Sequence, residues 1–404
     1  MYSLHLTPEQ LEIRDTVRDF AAREIKPLAE KSQRMEAVDR SPMEGVLTQA
    51  AELGLRTLSL PEDMGGAGAD ALTSVIVAEE LAFGDPDTAS ILAETSRLAR
   101  VLIGELMSPA QRASCLASLQ KNPASQLAWA SSLTGTDLGV NYHHPAPPAQ
   151  MSVTATKSGN NYVLNGVSRG VANAPTAALI AVSATTDAKT KLASKSLTLL
   201  VPRGAEGMTI KTHASGRFVG SNGDITFDNC KIPADHLLGK PDAGATVLAT
   251  LSRLDAVPIR QAVNLGIGRA AYEAAIAYGK LRVQGGRPII EHQAIALKLA
   301  DAAVRLETAR AAIWAAAWAC DHPDARSDGS QSHLPLAAIA RIHTAETMYR
   351  VAKDCAECFG AMSVMRDMPL HKFVEDARRF LHADGGITEP KLALAEAIAG
   401  FRRD

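Results

Sequence analysis

Aromatic side chains are scarce: tryptophan, tyrosine and phenylalanine together make up 4% of the 404 residues. A core with few large rings has to be filled by small side chains on closely packed helices, and the abundant alanine suits that. Excess charge of either sign is also missing. The 42 Lys and Arg against 44 Asp and Glu leave a formal charge of −2, with no long basic run, which removes electrostatic support for sequence-independent nucleic-acid binding. No run of about 18 apolar residues occurs, so no membrane span is predicted. The opening MYSLHLTPEQ has no apolar signal core, and no export is expected. The cysteines are odd in number and scattered, at Cys115, Cys230, Cys320, Cys355 and Cys358. Such a set points to a reduced, cytoplasmic setting. Cys355 and Cys358 form a CxxC inside a helical pattern, where they are neighbours on one face. No second pair at zinc-site spacing accompanies them, and no metal site is expected.

What is present is enough for two or three domains with buried cores, 46% of the residues being hydrophobic. Thr7, Pro8 and Gln10 spell a helix start with a capping box, and Ile13, Val17 and Phe20 follow at helical spacing. Helical patterns run to about residue 120, broken by the turn-rich LPEDMGGAGAD. After Asn122 the segments NNYVLNGV, AALIAVSA, KSLTLLV, GMTIKT and DITFDN are short, β-branched and separated by Gly, Asn and Pro, which reads as a barrel or sandwich of short strands. From about Gly244 the chain is helical again, with Ile295, Leu299, Ala302 and Leu306 on one face and RSDGSQSHLP as a helix–helix loop. The expected domains are an α-helical one over 1–122, a β-barrel over 123–240 and a helical bundle over 241–404. Periodicity gives that order and says nothing of chemistry.

Several segments, in order and over nearly the whole chain, resemble the acyl-CoA dehydrogenase family. They are LTPEQLEIRDTVRDFAAREIKPLAE, LGLRTLSLPEDMGGAGAD, YVLNGVSRGVANAPTAALIAV, FDNCKIPADHLLG, AAYEAAIAYGKLRVQGGRPIIEHQAIALKLADAAVRLETAR and CFGAMSVMRDMPLHKFVEDAR. The resemblance implies an α+β fold: an N-terminal α-helical domain, a middle β-barrel and a C-terminal four-helix bundle. It also implies FAD, a homotetramer or dimer, and a thioester substrate on CoA or an acyl carrier protein. Electrons would pass to an electron-transfer flavoprotein or to O2.

Residue by residue, Thr136 and Asp137 in SSLTGTDLG stand where the family has Gly-Ser-Asp. A hydroxyl there donates to the FAD pyrophosphate; read alone, the threonine caps its own turn. Arg282 stands at the family's arginine, whose fork takes two phosphate oxygens of a neighbouring subunit's FAD. Gln293 matches the family's glutamine on the same cofactor, and Gly285 replaces its phenylalanine. Glu357, Gly360 and Ala361 occupy the family's Gln…Gly-Gly, where small residues let backbone approach the cofactor. Glu357 puts a carboxylate in place of an amide, and is either protonated or turned away.

Asp384, in HADGGITEP, falls on the family's glutamate, which removes the α-proton of the acyl thioester while hydride leaves the β-carbon for flavin N5. Gly386 and Thr388, just after it, are assigned to the cofactor. Without the family, Asp-Gly-Gly is a helix-ending turn. The chemistry needs a carboxylate near the α-carbon in a cleft dry enough to raise its basicity. Aspartate is one methylene short, and a displacement of about 1 Å costs on the order of a hundredfold in rate. Nitroalkane oxidase, a family relative, uses an aspartate as base.

The flavin face departs further. The family's Trp-Ile-Thr-Asn reads Gly170-Val171-Ala172-Asn173, so Gly170 opens space where the tryptophan shields the ring. Ala172 lacks a hydroxyl bond near N5 worth about 1 kcal/mol. Ala130, Ser131 and Ser132 replace the family's Thr-Glu-Pro; Ala130 and Ala172 are taken as cofactor contacts. The substrate-side arginine falls on Val257, with Arg253 and Arg260 each about a helical turn away: either serves CoA, or both are surface charges. Three readings follow: an α,β-dehydrogenase of acyl thioesters, an oxidase or monooxygenase reacting with O2, and a non-catalytic scaffold. Retention of Thr136, Arg282, Gln293 and Asp384 weighs against the third.

Overall fold

The computed structural model describes residues 5–33, 43–131, 133–134, 150–187, 189, 195–213, 222–241, 243–327, 329, 332–365, 367–382 and 386–400. Helix α1 (Pro8–Phe20) continues through a wide turn at Ala21–Ile25 into α2 (Lys26–Gln33). Helices α3 (Glu44–Glu52), α4 (Ala71–Gly84), α5 (Pro86–Val101) and α6 (Pro109–Lys121) follow. The strands are β1 (Gln126–Ala130), β2 (Leu133–Thr134), β3 (Gln150–Met151), β4 (Val153–Ser158), β5 (Asn161–Ala172), β6 (Ala177–Thr185), β7 (Ser196–Pro202), β8 (Met208–Thr212) and β9 (Asn222–Pro233). Helices α7 (Gly244–Ser252) and α8 (Ile259–Leu281) lead to a small hairpin, β10 (Val283–Gln284) and β11 (Arg287–Pro288). The chain then forms α9 (Gln293–Asp321), α10 (Asp324–Ser327), α11 (Leu336–Glu357), α12 (Leu370–His382) and α13 (Thr388–Ala399). Among the described residues no helix is long and apolar enough to cross a membrane.

The expected capping box at α1 is present: the Thr7 hydroxyl accepts from Gln10 N at 3.1 Å, and the Gln10 side chain accepts from Thr7 N at 3.1 Å. Contacts gather into two compact units that are discontinuous in sequence. One draws on Met1–Glu36, Asp70–Ser90 and Val257–Arg403, the other on Ala37–Ala69 and Ile91–Ala256.

The second unit holds the main sheet, ordered β1-β6-β4-β5-β9-β8 with β7 also on β6. Alternation along its strands sorts side chains onto two faces. Ala128, Ala130, Leu164, Ile180, Val182, Leu199, Val201 and Ile225 enter one cluster with residues from most strands, so the sheet curls around its own core. Leu127, Ala181 and Leu200 point the other way, into a cluster with Leu98, Leu102 and Leu119 of α5, its continuation and α6, and with Val247 and Leu251 of α7. β6 and β7 are therefore buried on both faces, which is why AALIAVSA and LTLLV read as nearly continuous apolar runs. β9, with one face outward, alternates instead.

In the first unit α8 is the central helix. Its glycines permit close crossings: a Cβ on Gly266 would lie 2.5 Å from the Glu79 carbonyl oxygen of α4, and one on Gly268 2.5 Å from Met348 Sδ of α11. On α9, Leu299, Ala302 and Leu306 are buried as their spacing predicts, and Ile295 is half-buried. Two charge clusters lie inside. Arg269 bridges Glu79 (2.9 Å) and Glu80 (2.5 Å), with Arg310 also on Glu79 at 2.8 Å. Lys372 Nζ is 2.9 Å from Asp85 and 3.2 Å from Asp376, while Arg379 holds Asp87 at 2.8 Å. Cys355 and Cys358 are buried free thiols, both pushed up by burial.

Candidate functional site

In the sheet unit the expected flavin-side residues lie at the ends of β1 and β5. Ala130 closes β1 with its methyl in the sheet core, so only its main chain is available to a ligand. Thr136 lies outside the described residues. At the end of β5, Ser168 faces Ile225 and Val171 faces Gly223, so β5 uses one residue more than β9 over that step. The result is a bulge at Arg169–Gly170, with Gly170 at φ 62°, a left-handed conformation that favours glycine. A Cβ built there meets nothing within 4 Å. The space at Gly170 thus comes with a backbone that disfavours any other residue. Ala172 follows, half-buried and opposite Asn222.

Asn173 ends this turn at φ 60° and is 1% exposed. Its Nδ2 lies 2.9 Å from the Ile91 carbonyl, 3.2 Å from Thr95 Oγ1 and 3.2 Å from the Leu127 carbonyl. Thr95 in turn donates to Gln126 Oε1 at 2.7 Å and accepts from Leu127 N at 3.2 Å. One buried amide therefore fixes the turn after β5 against both α5 and β1. On the bulge itself, the Gly170 N–H donates to Asp224 Oδ1 at 2.9 Å. His213 Nε2 also lies 2.9 Å from that oxygen, and Arg169 is 3.9 Å from Oδ2. The Gly170 N–H, against slight burial and helped by His213 and Arg169, holds the Asp224 carboxyl below its ordinary range.

In the helical unit Arg282 follows α8 and opens the hairpin, pinned by Ile289 N to its carbonyl at 2.8 Å. Its exposed guanidinium has no partner among the described residues. Gly285 and Gly286 form the hairpin tip at φ 62° and 82°, the positive-φ pair that a tight two-residue hairpin demands. This accounts for the missing phenylalanine: any side chain at Gly285 needs a left-handed backbone, and its Cβ would come within 3.3 Å of the His292 ring. Gln293 is the exposed first residue of α9, so the hairpin sets Arg282 and Gln293 on its two flanks.

Glu357 ends α11 with Lys298 Nζ at 2.6 Å and Lys353 at 3.8 Å. The hydrogen bond from Lys298 and its charge hold the Glu357 carboxyl below its usual range. The pairing with Lys298 favours the ionised carboxylate. Gly360, exposed at φ 58° with nothing within 4 Å of an added Cβ, and exposed Ala361 begin the short turn Gly360–Val364. Asp384 lies outside the described residues. Just past it, the Gly386 carbonyl accepts from Arg341 at 2.9 Å, Arg341 stands 3.8 Å from Glu389, and Thr388 is the exposed start of α13. Arg260, on α8, is exposed and partnered; Arg253, in the other unit, is paired with Glu105 at 2.9 Å. Sequence reasoning missed Asp224, Lys298 and Arg341, because each matters through a partner distant in the chain.

Two family profiles match this chain: the acyl-CoA dehydrogenase N-terminal domain over residues 7–122 and its C-terminal domain over residues 252–394. A probable acyl-CoA dehydrogenase of Bacillus subtilis, YngJ, is 30% identical over 98% of this chain and 99% of its own. The chain belongs to the acyl-CoA dehydrogenase family. Its arrangement of N-terminal helices, central sheet and C-terminal helices is the family fold. Butyryl-CoA dehydrogenase from Megasphaera elsdenii superposes with a TM-score of 0.80 at 23% identity, over 98% of this chain and all of that one. Nitroalkane oxidase superposes at 0.82 and 22%, over all of this chain and 98% of that one. One fold thus serves a dehydrogenase and an oxidase, and does not choose between them. As a family member the chain is a flavin-dependent oxidoreductase with FAD as cofactor. Its residues fit that group: an uncommitted arginine for a diphosphate, and two left-handed glycines with open space where a ring or ribose needs close backbone approach.

Proposed function

We propose that this acyl-CoA dehydrogenase family member removes the α-proton and β-hydride of an acyl thioester, with Asp384 as the base. The support is that the C-terminal family profile spans 252–394, Asp384 included. The turn after it is held from α11 by Arg341, and an anchored turn suits a base that must be placed to within about 0.5 Å. FAD, when bound, supplies the acceptor for the departing hydride. Thr136, Arg282 and Gln293 hold its diphosphate and adenosine, while Glu357, Gly360, Ala361, Gly386 and Thr388 line its approach. The main chain of Ala130 and the turn Gly170–Ala172 face its ring. Arg253 and Arg260 take the phosphates of CoA or of an acyl carrier protein. An electron-transfer flavoprotein takes the electrons.

The chain works as a homotetramer or dimer. Leu281 (82% exposed), Val283, Leu297 and Val304 leave apolar surface around the Arg282 hairpin and along α9 that a second copy would cover. Five free thiols suit the cytoplasm.

The test is anaerobic titration of the flavin-loaded protein with a panel of acyl thioesters. Bleaching of the flavin bands with slow recovery in air supports the proposal. Asp384→Asn should keep FAD and lose turnover by about a hundredfold or more; normal turnover would refute the base.

A second reading, oxidase or monooxygenase, is favoured by one observation, the open space at the left-handed Gly170. Rapid oxygen uptake, with peroxide or an oxygenated product, would select it.

A further inference from the structure

We propose that Asp224 is a positioning residue for the flavin-side turn of β5: its carboxylate fixes the bulge that decides which β5 side chain is presented beside the cofactor. The inference rests on the reading that Gly170–Ala172 face the flavin. A strand displays alternate residues on opposite faces, so absorbing one extra residue exchanges every side chain beyond it. With the bulge in place, Val171 is buried in the sheet core and Ala172 stands on the other side, opposite Asn222. Without it, the larger Val171 would move to the side now held by Ala172.

A bulge leaves its extra residue outside the ladder. Here the exposed Gly170 N–H finds its partner in Asp224 Oδ1, at 2.9 Å, from the facing strand. The carboxylate is itself held. His213 reaches the same oxygen at 2.9 Å, Arg169 of the bulge stands 3.9 Å from the other, and exposed Lys211 is its cross-strand neighbour on β8. His213 is fixed by its own N–H, which donates to the Asn222 carbonyl at 3.0 Å. β5, β8 and β9 thus converge on one carboxylate, and its hydrogen bond keeps a left-handed glycine where the flavin-side turn begins.

The experiment compares wild type, Asp224→Asn and Asp224→Ala as apoproteins titrated with FAD. Flavin fluorescence gives the Kd, the visible spectrum reports the ring's surroundings, and thermal unfolding of the apoprotein is the control. Losing a charge-assisted hydrogen bond at the ring-facing turn should weaken FAD by on the order of tenfold in Asp224→Ala and shift the visible bands. Asp224→Asn, whose amide oxygen still accepts from Gly170, should fall between. It also serves as the deciding variant should the alanine protein fail to fold. A merely structural role would lower the unfolding temperature and leave Kd and spectrum unmoved. That result, with wild type binding FAD normally, overturns the inference alone. Wild type that binds no FAD takes down the underlying reading as well.

Discussion

Lys372→Met is the most exacting perturbation of the fold. Lys372 is 4% exposed, and the carboxylates it holds, Asp85 and Asp376, are 0% and 2% exposed. Burial alone would push the lysine down, but Asp376, Asp85 and Asp87 outweigh it and its pKa rises. Burial raises Asp85, against the pull of Lys372. Methionine keeps the length and removes the charge, leaving buried Asp85 without its cation while Asp376 keeps Arg379 at 3.3 Å. Breaking a buried pair from one side costs about 3–5 kcal/mol. Spread over a cooperative unit of roughly 200 residues, that lowers the unfolding temperature by on the order of 10 °C. The pH dependence has a definite sign. A carboxyl whose folded pKa is raised binds protons more readily when folded, so stability falls as pH climbs above its unfolded value of 3.8. Without Lys372 the rise is larger, so the deficit should be smaller near about pH 5 than near about pH 8. Calorimetry or circular dichroism at both values reads this directly. A variant within about 2 °C of wild type, or one whose deficit grows toward acid, would refute the reasoning.

Other substitutions test other parts. Asn173→Ala removes the buried amide's hydrogen bonds to the Ile91 and Leu127 carbonyls and puts alanine at positive φ; it should cost about 2–4 kcal/mol by denaturant unfolding, and a neutral result would reject the amide as the turn's anchor. Gly170→Ala meets no steric neighbour, so only backbone strain of roughly 1–2 kcal/mol should appear, and an unchanged or higher melting temperature would contradict the left-handed bulge. Glu357→Gln removes an exposed ion pair with Lys298, so its stability effect should be small at neutral pH. Because the carboxyl is held below 4.5, the pair's contribution exists above that value and is lost as pH falls, and the two proteins should converge in acid; a gap widening toward acid would refute the pairing.

The sequence was most legible where the signal is local. The Thr7–Gln10 box sits within four residues and forms as expected. The doubly buried β6 and β7 announce themselves by unbroken apolar runs, since both faces need the same chemistry. What was not legible depends on partners far along the chain. Lys372 reads as an ordinary helical lysine until Asp85, 287 residues earlier, lies beside it. Gly170 reads as a lost tryptophan, whereas its conformation follows from a register step against β9 and a carboxylate 54 residues on. Glu357 gives no sign in isolation of its ion pair with Lys298 on another helix.

The acids of α4 and the start of α5 have an unusual history during synthesis. Arg18, already made, pairs with Glu80 at 2.8 Å, but the other bases that hold Glu79, Glu80, Asp85 and Asp87 come later: Arg269, Arg310, Lys372 and Arg379 follow 189 to 292 residues on. At about 5–20 residues per second, that is a wait of roughly 10 to 60 s. During it the strongly apolar α4 and the start of α5 carry acids that water must solvate, and these oppose premature collapse of the α4 hydrophobic face. Neutralisation is complete only with α12, which brings Lys372 to Asp85 and Arg379 to Asp87, so the charge balance of this unit closes when the chain is almost fully made.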